Sequence, residues 1–223
     1  MLSIYSFPYS IDLIQGKNLK RFQNGFFESK IFFPDDFMSM LTSDVNLLKS
    51  NLIKSKPTTK WVTLQYANTV MRKTLQAFDA DNDFILKKYI GNYAVDICYL
   101  FGTKYGSDHR NSQHWHHDSV GKRLKMFFVL EPDNEPTLLI ESNSGINRML
   151  NPVLSEKKRK SYKPKSDISS IRFLPGHVYF VDTNYMHSGI KGVTDSIRIA
   201  FVCEISNKYK KYARGRVGPR SEP

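Results

Sequence analysis

The chain has 223 residues, 40% of them apolar and 13% aromatic, which is enough for one substantial core and far from the composition of disordered chains. Lys and Arg outnumber Asp and Glu by 33 to 21, and the resulting net charge of +12 favours anionic partners such as carboxylates, phosphates or nucleic acid. No apolar run reaches the roughly 18 to 20 residues of a membrane span, and MLSIYSFPYSIDLIQGK lacks the basic start and cleavage site of a secretory leader, so a cytoplasmic protein is expected. The two cysteines, Cys98 and Cys203, sit in separate apolar runs and read as buried free thiols, not a disulfide framework.

Along the chain, a mixed N-terminal stretch gives way to PDDFMSMLTSDVNLLKSNLIK (34–54). There Phe37, Met40, Leu41, Leu47, Leu48 and Leu52 recur at near-helical spacing behind Pro34 and its acidic neighbours, a helix-start signal. WVTLQYANTVMRKTLQAF (61–78) repeats the rhythm through Val70, Met71, Leu75 and Phe78, so the first part of the chain is expected to be helical. From Tyr93 the pattern changes to six short β-rich runs, AVDICYLFGT, RLKMFFVLE, PTLLIES, SSIRFL, HVYFVD and SIRIAFVCEI, punctuated by Gly, Pro, Asn and Asp. No helical pattern intervenes, which predicts an antiparallel sandwich or barrel and not alternating βαβ units. Two basic stretches, SEKKRKSYKPK (155–165) and KYKKYARGRVGPR (208–220), lack core-forming periodicity and read as a solvated loop and a tail. The expected organisation is one domain over 1–223, with mixed and helical support (1–92), a β core (93–206) and a basic tail (207–223).

Within that β core, NSQHWHHDSV concentrates candidate metal ligands. On an extended segment, residues two apart project to one side, so His114, His116 and Asp118 share a face while Trp115 and His117 take the other. Two metal readings follow. In the first, His116 and Asp118 combine with a distant histidine into a two-histidine, one-carboxylate triad, which leaves positions of a ferrous ion open for oxygen activation. His187, in FVDTNYMHSG between two β runs, is the candidate for the third ligand. Arg198 follows it at a spacing of 198 − 187 = 11, isolated in the apolar run IRIAFV. A guanidinium on an inner strand needs a partner, and its planar fork suits a carboxylate, which points to a dicarboxylate co-substrate; a structural ion pair is the alternative.

HWHHD, then LKMFFVLEPD, then LPGHVYFVDTNYMHSG with an arginine at this distance resembles the iron(II)/2-oxoglutarate oxygenases, and within them the phytanoyl-CoA dioxygenase-like group. The resemblance spans about residues 93 to 206. It implies a double-stranded β-helix (a jelly roll, cupin-like) buttressed by α-helices, iron held by His116, Asp118 and His187, and 2-oxoglutarate anchored through Arg198. The implied activity is a dioxygenase consuming O2 and hydroxylating a small substrate, with release of succinate and CO2. Asp118 stands where halogenating relatives carry a small residue, which favours hydroxylation. Two departures are visible: Gly176-His177 replaces a Gly-Asp pair, and ESNSGINRML replaces a small-residue turn with a histidine.

Two further residues are candidates for 2-oxoglutarate. Lys125 shares a strand face with Phe127 and Val129 and could meet 2-oxoglutarate or an anionic substrate, or snorkel into water from a strand end. Ser196, on the Arg198 face, could donate to the same carboxylate or be an ordinary strand serine.

Three other readings compete. HWHHD also opens like the His-x-His-x-Asp-His signature of metallo-β-lactamase-fold zinc hydrolases, but Ser119 replaces the final histidine and the required αβ alternation is missing. A basic nucleic-acid-binding protein would use the 155–165 loop and the tail. A nucleic-acid-modifying oxygenase ranks lower, because EISNKYKK lacks the second arginine of such relatives. A small-molecule substrate, anionic if the charge is a guide, is the favoured partner.

Overall fold

A computed structural model describes residues 25–106, 114–118, 123–131, 138–141, 162–174, 176–189 and 195–208. Its elements are β1 (Phe26–Ser29), α1 (Asp35–Ile53), β2 (Thr58–Thr63), α2 (Gln65–Asp81), α3 (Ile85–Ile90), β3 (Tyr93–Lys104), β4 (Arg123–Glu131), β5 (Leu138–Glu141), β6 (Ile168–Ile171), β7 (Val178–Asp182), β8 (His187–Gly189) and β9 (Ile197–Asn207). They form a six-stranded sheet in the order β1-β7-β4-β9-β3-β2 and a three-stranded sheet in the order β6-β5-β8, with every pairing antiparallel. The 114–118 segment joins the small sheet through an antiparallel bridge between His116 and His187.

The helices form because their apolar residues fall on one stripe. Phe37, Leu41, Val45, Leu48 and Leu52 of α1 are buried, with Asp35 and Asp36 in the first turn where the helix dipole favours negative charge. Met40 and Leu47, expected on that stripe, are exposed instead. In α2 the buried residues are Ala67, Met71, Leu75, Phe78 and Asp79. Asp79 accepts the Leu86 N–H at 2.7 Å and so caps the start of α3.

Both helices cover the outer face of the large sheet, where β4 contributes Leu124, Met126 and Phe128 and β9 contributes Ile199, Phe201, Cys203 and Ile205. The alternate residues turn inward to a second cluster between the sheets, among them Tyr99, Val129, Tyr179, Val181, Ala200 and Val202 against Leu138, Ile140, Ile171 and Phe173. Because both faces are covered, nine consecutive residues of β9 are buried. Cys98 and Cys203 face each other across β3 and β9 as free, buried thiols. Gly102 lets α1 approach, since a Cβ there would meet Leu52 Cδ1 at 2.8 Å and Leu48 Cδ2 at 2.9 Å.

All six β-rich runs are strands. The N-terminal third departs from a purely helical reading, because β1 and β2 form the two edges of the large sheet. Trp61, Val62 and Thr63 belong to β2 and α2 begins only at Gln65. TTKWVT is β-branched and aromatic enough to pair with β3 along its whole length, and that pairing outweighs the helical rhythm that follows it. Most of both basic stretches lies outside the described residues, as do residues 142–150 of ESNSGINRML; among the described residues no helix is long and apolar enough to cross a membrane.

Candidate functional site

The antiparallel bridge at His116 and His187 is closed by two backbone hydrogen bonds, 2.9 Å and 2.8 Å. The Asp118 N–H donates to the Thr183 carbonyl at 3.1 Å, fixing the next turn of the segment beside the end of β7. Three side chains from two distant stretches are thereby brought to one point. One potential ligand atom from each of His116, Asp118 and His187 lies within 4.8 Å of the other two. Asp118 Oδ1 is 3.6 Å from His116 Nε2 and 4.0 Å from His187 Nε2.

The hydrogen bonds on the far side of each ring define its chemistry. His116 Nδ1 lies 2.6 Å from the His114 carbonyl, and His187 Nδ1 lies 2.8 Å from the Tyr185 carbonyl. A carbonyl can only accept, so each Nδ1 carries a proton and each ring turns its Nε2 to the shared centre. Burial pushes His187 down to about 3, with His116 adding to the effect, so its ring is neutral near pH 7. Burial would raise Asp118, but the Lys125 ammonium, helped by the two imidazoles, outweighs it and holds the carboxyl well below the usual carboxylate range. Two imidazoles with Nε2 turned to the centre and outer nitrogens tied to backbone carbonyls, together with one carboxylate, fit a divalent transition metal.

The triad opens into a cavity of about 210 Å³ between the sheets, lined mainly by apolar side chains. Arg198 lines its wall, 7% exposed, with its guanidinium over the Tyr105 ring at 5.6 Å. Among the described residues no carboxylate pairs with it. Thr103 stands directly opposite Arg198 on β3, and Thr59, which also lines the cavity, stands opposite Thr103 on β2. A buried guanidinium on a cavity wall can pair with an anionic group that enters the cavity.

Lys125 does project inward with Phe127, as its strand face predicts, but its ammonium is engaged by Asp118 Oδ2 at 2.8 Å and Glu204 Oε1 at 3.4 Å. Ser196 is not among the residues lining the cavity; its carbonyl accepts the Tyr105 N–H at 3.0 Å. His114 contributes its carbonyl to His116 and stands outside the ligand cluster, while His117 is buried away from it. Sequence reading missed Thr59, Trp61, Tyr105 and Glu204. The first two sit on an edge strand whose place is set by its partner β3, and the others also depend on which strands become neighbours.

No family model and no curated protein matches the chain. Solved structures do. HygX from Streptomyces hygroscopicus, with nickel and 2-oxoglutarate bound, superposes with a TM-score of 0.59 at 13% identity, covering 88% of this chain and 88% of that one. AviO1 from Streptomyces viridochromogenes Tue57 gives 0.59 at 18% identity over 87% and 96%. The non-heme alpha ketoglutarate dependent epimerase SnoN from nogalamycin biosynthesis gives 0.54 at 12% identity over 84% and 81%. The fold is the double-stranded β-helix. This double-stranded β-helix, whose strand pairings among the described residues are all antiparallel, is not the metallo-β-lactamase architecture.

Proposed function

We propose that the protein is an Fe(II)- and 2-oxoglutarate-dependent dioxygenase of the phytanoyl-CoA dioxygenase-like group that hydroxylates a small substrate. The observation that carries this reading is the convergence of two Nε2 atoms and one carboxylate oxygen, with a buried guanidinium that has no carboxylate partner among the described residues on the wall of the same cavity. The subgroup rests on motif order alone: His116-x-Asp118, then His187, then Arg198. The net charge of +12 favours an anionic substrate over a neutral one, and a nucleic acid ranks below a small molecule.

In this reading His116, Asp118 and His187 hold the metal, and Arg198 grips the distal carboxylate of 2-oxoglutarate through a two-point, charge-assisted contact. Bound there, iron and 2-oxoglutarate supply an O2-dependent oxidation that releases succinate and CO2. The chain's own part is orientation and exclusion of water. The His114 and Tyr185 carbonyls aim the two imidazoles, and Phe127, Val202, Phe101 and Phe173 wall the cavity against solvent.

The test is succinate formation from 2-oxoglutarate by the full chain supplied with Fe(II) and O2. It is expected to require iron and to be lost in His116→Ala and Asp118→Ala. Turnover without iron, or undiminished turnover in either variant, refutes the reading.

A further inference from the structure

The two oxygens of Asp118 meet different surroundings. Oδ1 faces the histidines, at 3.6 Å from His116 Nε2 and 4.0 Å from His187 Nε2. Oδ2 is held by the Lys125 ammonium at 2.8 Å. That ammonium also lies 3.4 Å from Glu204 Oε1, and the Tyr99 hydroxyl donates to the same Glu204 oxygen at 3.0 Å. The arrangement is built into the large sheet: Lys125 stands directly opposite Glu204 across β4 and β9, with Tyr99 on the neighbouring β3. The side chains of Lys125 and Glu204 are only 17% and 10% exposed, so water screens them weakly.

We propose that Lys125 is a positioning residue that restricts Asp118 to donating a single oxygen, and that Glu204, braced by Tyr99, both holds Lys125 and offsets its charge. This rests on the metal-binding reading above. A carboxylate free to turn can offer both oxygens to one ion and occupy an extra coordination position. With Oδ2 committed to an ammonium, only Oδ1 is presented, so a metal held by the three residues would keep more of its coordination capacity for a chelating co-substrate and O2.

An ammonium so near a divalent cation also repels it in a site of low dielectric. Glu204 supplies the compensating negative charge. The two residues are therefore coupled. Loss of Glu204 alone leaves Lys125 with less compensating charge and less well aimed, whereas loss of both removes the repulsion together with its remedy.

The test is Mn(II) binding to the apo full chain, followed by the electron paramagnetic resonance of free Mn(II), with the Co(II) absorption spectrum as a report on coordination. Glu204→Gln is expected to weaken Mn(II) binding by about tenfold or more. Tyr99→Phe, a milder change that keeps the ring packing, is expected to weaken it in the same direction. In the Lys125→Met, Glu204→Gln double variant most of the loss is recovered. Lys125→Met is expected to alter the Co(II) spectrum, and Lys125→Arg to preserve it. Unchanged Mn(II) affinity in both Glu204→Gln and Tyr99→Phe, or a Glu204→Gln loss that persists in full in the double variant, overturns the proposal while leaving the metal site standing. Absence of Mn(II) binding in the wild type overturns the metal reading, and this proposal with it.

Discussion

Replacing Arg198 with Met keeps an apolar stem in the wall of the cavity and removes only the charge and its donors. In the folded chain Arg198 is 7% exposed, and its guanidinium rests on the Tyr105 ring at 5.6 Å and has no carboxylate partner among the described residues. Truncating one side of a buried, hydrogen-bonded charge pair costs about 2 to 5 kcal/mol, which weakens 2-oxoglutarate binding by about 30-fold to several thousand-fold. The assay is thermal unfolding with Mn(II), with and without 2-oxoglutarate. At a co-substrate concentration of about 100 times Kd, the wild type gains about 2.7 kcal/mol, or roughly 5 to 10 °C for a chain of this size. At the same concentration Arg198→Met retains a shift of less than about 3 °C. The apo proteins differ in a second, independent way. A guanidinium in a structural ion pair would leave a buried carboxylate stranded when removed, lowering the apo melting temperature by about 10 °C, whereas an unpaired one leaves nothing behind. An apo loss of that size combined with an intact 2-oxoglutarate response would refute the assignment of Arg198 to the co-substrate.

Other outcomes follow from the packing and the titrating groups. Gly102→Val drives a branched side chain into Leu48 and Leu52 of α1 and should cost about 1 to 3 kcal/mol, read as a lower urea midpoint with an unchanged slope. Glu141 on β5 accepts the Ser166 N–H at 3.0 Å together with the Lys165 N–H and the Tyr162 hydroxyl, so Glu141→Ala removes three half-buried hydrogen bonds at about 1 kcal/mol each and should expose the 162–166 segment to limited proteolysis. His187 titrates at about 3 in the fold against an ordinary value of 6.5, so between those values the unfolded chain binds the extra proton. Apo stability should therefore fall as pH is lowered through that window, and His187→Ala should flatten the slope; equal slopes in urea titrations at several pH values would contradict it. Below the ordinary carboxylate range, Asp118, held low in the fold chiefly by Lys125, adds a loss of the same sign.

Much of this protein was legible in its sequence because the relevant signals are local. The stripe from Phe37 to Leu52 marks α1 through its period, and the six β-rich runs mark an antiparallel core because no helical pattern lies between them to supply the crossovers that parallel strands need. Alternation within HWHHD separates His116 and Asp118 from His117, and the spacing from His187 to Arg198 is a property of the chain alone. The rest is non-local. That His116 pairs with His187, so that two imidazoles converge on one carboxylate, depends on the small sheet closing over the large one. The engagement of Lys125 by Asp118 and Glu204, where sequence alone allowed it to meet a co-substrate or reach water, depends on β4 and β9 lying side by side in one register. β2 was hidden because an edge strand takes its stability from the partner it finds and not from its own period, and so the Thr59 and Trp61 side of the cavity appeared only once β3 was beside it.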